Sequence, residues 1–489
     1  MSSNQACVSC SESDVALTER AEGQPQEQRI HFSQDLLAKM DRPGPRYTSY
    51  PTADRFNEAF GAEHQIQALR QRAQDGAGAS RLPLSIYVHV PFCESVCYYC
   101  ACNKIVTKDK SKGAAYLEVL AREIDLVIAQ LSGREQVTQI HFGGGTPTYL
   151  TDEELGSFFE LLRKRFDIQV DGEFSIEVDP RTVNAQRLSA LRQIGFNRLS
   201  FGVQDFDADV QKAVHRVQPY EQVKELMGLA RERGFDSVNV DLIYGLPKQT
   251  VKSFERTIDQ VAGLKPDRIA MYGYAHLPAR FKPQRRIHDA DLPRGAERLG
   301  MLSSAIDRFI ANGYRYIGMD HFALPDDPLS VAKRQGLLHR NFQGYSTQAD
   351  CDLIGLGVSS ISKIGATYSQ NAKTLEEYAD FVNRGEMPVV KGIALSRDDI
   401  LRRSVIMAIM CHGRLVYESV EIAHLIDFKN YFSQEIEDLR QFEREGLLNF
   451  QPDGFELTEL GWYFVRSVAM TFDQYVRRDQ TREKFSKVI

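Results

Sequence analysis

Residues 87–103 read YVHVPFCESVCYYCACN. Four of the chain's eight cysteines fall here, with Cys93, Cys97 and Cys100 in a C-x3-C-x2-C step and Cys102 one residue further on. Chance clustering is a poor account of that. Three thiolates on one tight loop suit a 4Fe–4S cluster with one iron left open for a non-protein ligand, since full protein ligation would take four. Pro91 and the neighbouring aromatics can keep water away. The plainer alternatives are buried thiols or a structural zinc. Zinc usually takes four ligands in two separated pairs, and no second Cys/His pair stands nearby.

Outward from this loop the chain alternates between short β-branched runs and amphipathic helical stretches. The runs are 84–90, 138–145, 173–179, 198–204, 237–245 and 268–274; between them lie patterns such as AAYLEVLAREIDLVIAQL and SFFELLRKRF. Alternation of this kind predicts βα units and a parallel sheet. Glu177, Gln204 and Asp241 sit in or at the end of otherwise apolar strands, and strand ends of a barrel converge on one mouth. The expected fold is therefore α/β, a partial (β/α)6 TIM-like barrel. GGGTPT (143–148) follows the second run directly. Consecutive glycines let a ligand approach the backbone N–H groups, so it reads either as a tight turn or as a grip for the ends of a methionine. Glu177 and Asp241 read as caps or as partners for ribose hydroxyls and an ammonium, because a buried carboxylate must be paired.

At 489 residues, 43% hydrophobic and 26% charged, the chain has the composition of an ordinary globular protein of two or three domains. Its net charge of −6 argues against nucleic acid or an anionic membrane as partner, and no apolar run approaches the roughly 18 residues of a membrane span. MSSNQACVSCSESD has no basic region followed by an apolar one. No signal peptide is expected, and a cytoplasmic location with reduced thiols follows. Residues 1–43 are a polar tail that carries Cys7 and Cys10 and ends in FSQDLLAKM. GPRYTSYPTA (44–53), with two prolines and two tyrosines, is a stiff segment, either a surface strap or a lid over the mouth. Arg280, Lys282, Arg285 and Arg286 form either a solvated loop or a seat for a substrate with several carboxylates. LIGLGVSSISKIG (353–365) is expected to fold back over the mouth. From about 386 the pattern turns to helices, and GLLNFQPDGFELTELGWYFV (446–465) is winged-helix-like. Residues 417–450 hold eight Asp/Glu against three Lys/Arg, the reverse of a phosphate-reading face. Three regions result: 1–43, 44–385 as the catalytic domain with its N-terminal strap, and 386–489 as a mostly helical accessory domain.

A strand followed by CxxxCxxC resembles the radical SAM enzymes. More narrowly, the chain is similar to the oxygen-independent coproporphyrinogen III oxidase family through GPRYTSYPTA, CYYCACNKIVT, GGGTPTYL, SIEVDPR, NRLSFGVQDF, DLIYGLPKQT, YAHLP, GMDHFALPDD, LHRNFQGY and FSKVI. Nearly everything after residue 44 is covered. Departures are small: Ala101 stands where the family usually has Gly, Tyr99 is often Phe, and Phe142 is often Trp. The resemblance implies that Cys93, Cys97 and Cys100 ligate the cluster and that Cys102 stands nearby without ligating. Tyr87, Tyr99, Gly144, Glu177 and Ile361 would line an S-adenosylmethionine (SAM) on the open iron. Gly145, Thr146, Gln204, Arg216, Asp241 and Ala275 match the surroundings of a second SAM.

The implied reaction belongs to porphyrin and haem biosynthesis. A flavodoxin- or ferredoxin-type donor reduces the cluster, SAM yields methionine and a 5′-deoxyadenosyl radical, and that radical takes hydrogen from a propionate β-carbon of coproporphyrinogen III. Loss of carbon dioxide and one electron leaves a vinyl group; two rounds give protoporphyrinogen IX. The protein is expected to act as a monomer. Haem-binding chaperones or haem-utilisation relatives on the same scaffold, and radical SAM methyltransferases, are the alternatives.

Overall fold

The six expected runs become six neighbouring parallel strands: β1 (Leu84–Val90), β2 (Gln136–Gly144), β3 (Asp167–Val178), β4 (Arg198–Gln204), β5 (Ser237–Tyr244) and β6 (Arg268–Gly273). A computed structural model describes residues 36, 39, 40, 44–74, 82–348 and 351–478. Cys7, Cys10 and the terminal FSKVI lie outside the described residues. Each strand is followed by a helix: α1 (Ser111–Ile128), α2 (Asp152–Arg165), α3 (Ala185–Ile194), α4 (Tyr220–Glu232), α5 (Val251–Leu264) and α6 (Gly295–Ala311). Their ends follow local chemistry. Helix α2 opens on a reciprocal pair, with Thr151 Oγ1 accepting from Glu154 N–H at 3.2 Å and Glu154 accepting from Thr151 N–H at 2.8 Å. Acidic residues fill its first turn and Arg163, Lys164 and Arg165 its last, which suits the helix dipole.

The sheet grows at both edges. Beyond β6 lie β8 (His321–Ala323) and then β7 (Arg315–Gly318), both antiparallel to their neighbours. Short β9 (His339–Asn341) and β10 (Gly344–Ser346) form a separate hairpin. On the other edge β11 (Asp352–Leu356) runs parallel to β1, and β12 (Ile361–Ile364), β13 (Thr367–Asn371) and β14 (Val389–Ala394) follow antiparallel. The twelve strands form an open barrel, with β14 and β7 as its two edge strands. This corrects the expectation for 353–365. The segment widens the sheet instead of folding over the mouth, because β1 has an open backbone edge that Asp352–Leu356 can pair with. Strand β3 also begins six residues earlier than its apolar run. Pairing of Asp167 and Ile168 with β2 extends it, while Val170 stays fully exposed.

The outer face of the barrel packs apolar side chains such as Ile140, Ile176, Leu199 and Val240 against the helices. Its inner face is polar. Glu173, Ser175 and Glu177 alternate along β3 and meet Arg198 and Ser200 of β4, Asn239 and Asp241 of β5, and Arg268 of β6 in one cavity. At its floor Arg198 Nη1 lies 2.7 Å and Arg268 Nη1 3.6 Å from Glu173, and Arg268 Nε lies 2.8 Å from Asp327. Burial opposes charge on Glu173, yet the two guanidiniums hold it down at about 2.

A second apolar cluster gathers α7 (Arg397–His412), the three-stranded sheet of β15 (Arg414–Val416), β16 (Leu448–Gln451) and β17 (Gly454–Leu457), and the helices around them. The strand–turn–strand read at 448–457 is there. Into this cluster go Tyr47 and Tyr50, both fully buried.

Candidate active site

After β1 the chain turns into the cysteine loop, which is clamped from two sides. Tyr98 N–H donates to Val214 O at 3.0 Å, and His215 Nδ1 lies 2.8 Å from Val96 O. The His215 ring stacks on Tyr98 with centroids 5.1 Å apart. From the other side Gln284 donates to Tyr99 O at 2.9 Å and Arg286 to the Tyr98 hydroxyl at 3.1 Å. Arg286 of the 280–286 basic cluster therefore braces the loop, and Arg285 donates to Pro278 O at 3.0 Å, although both are exposed, as Arg280 is.

Donors are aimed at the sulfurs. Thr146 Oγ1 donates to Cys93 Sγ at 3.4 Å, Arg216 Nη1 to Cys97 Sγ at 3.5 Å and Arg181 Nη2 to the same sulfur at 3.6 Å. Asp179 fixes both arginines, at 2.6 Å from Arg181 and 3.1 Å from Arg216. A Cβ at Gly202 would stand 2.9 Å from Arg216 Nη2, so this strand needs glycine to admit the guanidinium. Burial pushes the Cys93 thiol up to about 11, whereas a hydrogen bond from Cys102, with Lys104 beside it, brings Cys100 down to about 6.

Above the loop lies a cavity of about 710 Å³. Cys93, Cys97, Cys100 and Cys102 line it together with Tyr99, Gly144, Gly145, Thr146, Glu177, Gln204, Arg216 and Asp241. The structure thus brings most of the sequence-predicted residues together. Tyr87, Ala275 and Ile361 stand outside this wall. The Tyr87 ring stacks on His141 at 5.8 Å, with its hydroxyl 3.1 Å from His89 Nδ1; Ala275 offers its carbonyl to Gln284; Ile361 begins β12. Sequence reasoning missed Lys104, Asp179, Arg181 and Ser200, which share the wall. The Asp-Pro-Arg step directly after β3 was the available signal for two of them.

The carboxylates differ. Glu177 accepts from Gly144 N–H at 3.1 Å, sits 3.3 Å from His141 Nε2 and keeps 42% of its side chain exposed. Asp241 accepts from Ser200 at 3.1 Å, and burial, aided by Glu177, pushes it up to about 7. Gln204 ends β4 in the left-handed region at φ 67°, the kind of strain that clusters at functional sites. Of the two readings of the glycine loop, its amides favour the tight turn. Gly145 N–H donates to Val90 O and Thr146 N–H to Phe92 O, each at 2.8 Å, so with Gly144 held by Glu177 no amide of 144–146 is free to grip a carboxylate. The loop supplies clearance instead: Gly144 has φ 113°, and a Cβ there would meet the His89 ring at 2.6 Å.

Three sulfurs on one wall, each facing a cavity, with guanidinium and hydroxyl donors around them, fit an iron–sulfur cluster. Among the described residues no three His, Cys, Asp or Glu are grouped tightly enough for a single metal ion; a cubane takes each thiolate on a different iron. An open α/β barrel with this loop after its first strand defines a radical SAM enzyme.

Comparison with known proteins agrees. A family model described as the Radical SAM superfamily matches residues 87–261, and one described as the HemN C-terminal domain matches 395–464. The chain is 47% identical over 462 residues to the oxygen-independent coproporphyrinogen III oxidase of Pseudomonas aeruginosa, covering 94% of this chain and 99% of that one. The Escherichia coli K12 enzyme of the same name is 46% identical, with coverage of 94% and 99%. The solved structure of coproporphyrinogen III oxidase from Escherichia coli superposes with a TM-score of 0.86 at 46% identity, covering 92% of this chain and all of that one. The chain belongs to the oxygen-independent coproporphyrinogen III oxidases.

Proposed function

We propose that this chain oxidatively decarboxylates two propionate side chains of coproporphyrinogen III to vinyl groups, giving protoporphyrinogen IX without oxygen. The observation that carries this reading is the polar cavity that joins the cysteine loop to Glu177, Gln204 and Asp241, in a chain that matches a family member over 94% of its length. Cys93, Cys97 and Cys100 would hold the 4Fe–4S cluster, and Glu177 and Asp241 would hold SAM. Bound together, these cofactors supply a carbon radical that abstracts hydrogen; that chemistry is theirs.

The chain positions and shields. Arg181 and Arg216 donate to Cys97 Sγ at 3.6 Å and 3.5 Å and hold that sulfur in place. Asp241, poised near 7, ionises when a hydroxyl or ammonium of a ligand donates to it. Cys102 shares the wall and is placed to act on the cofactor or substrate without ligating. A second SAM beside Gly145, Thr146, Gln204, Arg216, Asp241 and Ala275 is part of the same proposal, as are the 44–385 and 386–489 division, an electron donor of flavodoxin or ferredoxin type, a monomer and a cytoplasmic location. Among the described residues no helix is long and apolar enough to cross a membrane.

Anaerobic incubation with SAM, dithionite and coproporphyrinogen III, followed by product analysis, is the test. Vinyl product with 5′-deoxyadenosine supports the reading; methylated product, or haem binding without turnover, would replace it.

A further inference from the structure

Three arginines meet at the open edge of the barrel beside β6. Arg46 of the strap lies over the Tyr272 ring, 5.1 Å from its centroid, and 3.6 Å from Asp320. Arg340 of β9 is 8% exposed, lies 4.6 Å over the Tyr345 ring and gives one N–H to Arg46 O at 3.3 Å. Arg298 of α6 rises beneath Gly245 and Gly273; its Nε would be 3.1 Å from a Cβ at Gly245. The carboxylate that faces Arg46 and Arg340 is Asp320, which also feels Arg466. Positive charge is in excess. The donors show it too: Arg46 Nη2, Arg298 Nε, and both Nε and Nη1 of Arg340 are buried without a hydrogen-bond partner among the described residues. A buried guanidinium N–H facing no acceptor is costly, and a fold that gathers several has placed them for an acceptor from outside.

The surroundings say where that acceptor enters. Tyr272 keeps 36% of its surface although it stands inside the barrel. It is wall to an open cavity of about 800 Å³ that His321 and Tyr345 also line and that reaches Glu177 and Asp241. Along β6, Tyr272 is two residues beyond Ala270, the register partner of Asp241, a rise of about 7 Å. Burial, with Arg340 and Arg46 adding to it, holds His321 neutral by bringing it down to about 3, as a locally positive potential requires.

We propose that Arg46, Arg298 and Arg340 seat carboxylates of the tetrapyrrole, holding propionates that are not reacting while another reaches the cysteine loop. This rests on the substrate reading above. Arginine suits the task because its planar fork pairs a carboxylate through two N–H groups at once, and the tyrosine rings beside it offer apolar faces to a macrocycle. The site would discriminate on carboxylates, so neutralising them should abolish the advantage.

The test uses the full-length, cluster-loaded protein and two stable probes, coproporphyrin III and its tetramethyl ester, titrated anaerobically. The wild type should bind the acid at least about 10-fold more tightly than the ester. Arg340→Gln and Arg46→Gln should each weaken acid binding by about 10-fold or more and leave ester binding and iron content as they were; Arg340→Lys should recover part of the loss. In turnover, KM for coproporphyrinogen III should rise more than kcat falls. Arg46 is partly exposed, so its variant decides the matter if Arg340→Gln does not fold. Equal binding of acid and ester by the wild type, or unchanged acid binding in a folded Arg46→Gln, overturns the seat. A wild type that binds the acid in this arginine-dependent way but forms no vinyl product would overturn the reaction assigned above and leave the seat standing.

Discussion

Glu177 of β3 and Asp241 of β5 both face the cavity across β4, yet their surroundings set them apart. Glu177 is part open to the cavity and already accepts from a backbone amide, while Asp241 is enclosed and stands near 7. An unfolded aspartate titrates near 3.9, so between about pH 4 and 7 the folded state binds more protons and unfolding free energy falls as pH rises. The cost of Asp241 is absent below that window and complete above it. Asp241→Asn should therefore melt no lower than wild type at pH 8, and the pH 4–7 slope of stability should flatten. Turnover should fall by about 10-fold or more in both Asp241→Asn and Glu177→Gln, because each loses a charge-assisted contact of roughly 1.5–3 kcal/mol. Normal SAM cleavage in both variants would remove them from the cofactor site. Among the cysteines, replacement of Cys93, Cys97 or Cys100 by Ser should abolish bound iron in anaerobically reconstituted protein, whereas Cys102→Ser should keep about four irons and lose activity. Iron loss as complete in Cys102→Ser as in the other three would end the three-ligand assignment.

The strap shows how an element can be recognised and its contacts misjudged. GPRYTSYPTA reads as a stiff segment, a surface strap or a lid over the mouth, and as a lid it would pack its tyrosines on the substrate. In the fold Tyr47 and Tyr50 turn away from the mouth into the second core, where the Tyr47 hydroxyl donates to Asp473 at 2.9 Å and Gln474 N–H reaches Tyr50 at 3.3 Å. Arg466 ties down the carbonyls of Gly44 and Pro45. Arg46, between the two anchors, is what faces the barrel. Tyr47→Phe removes one of the donors to a buried carboxylate and should lower unfolding free energy by about 1–3 kcal/mol, measured by denaturant titration, with no change in KM. A rise in KM without loss of stability would restore the substrate-contact reading. Deletions bear on the lid reading only where they spare this core. Leu36 and Met40 are buried in the same core, so removal of residues 1–31 should leave activity intact, while removal of 1–55 would take out core rings along with any lid.

On the scale of the whole molecule the two apolar clusters are bridged. The chain's one tryptophan, Trp462, packs at the edge of the second cluster, and Lys333, which lies between β8 and β11 of the barrel in sequence, sits 3.8 Å over its ring. Burial brings that lysine down to about 7. With the strap and this contact joining them, the clusters should unfold together: Trp462 fluorescence and far-UV circular dichroism should give coincident denaturation curves. A fluorescence transition at lower denaturant would show that residues 386–489 melt on their own.

What the amino-acid order determines by itself is local and periodic. The cysteine spacing, the six βα units, the strand-end carboxylates and the strand–turn–strand at 448–457 all depend on neighbours within a few turns of chain, and period and spacing record such neighbours. The tertiary structure decided whatever depends on which backbone edge is open and which charges meet across distance. Residues 353–365 became sheet because β1 had an unpaired edge. The glycine-loop amides were taken up by the strand beside them. Arg181 joined Arg216 on one sulfur through Asp179, and Arg46 and Arg340, far apart in the chain, came to face one carboxylate, Asp320. No periodicity announces such meetings, because the positions that make them are set by packing across the barrel and not by the chain on either side.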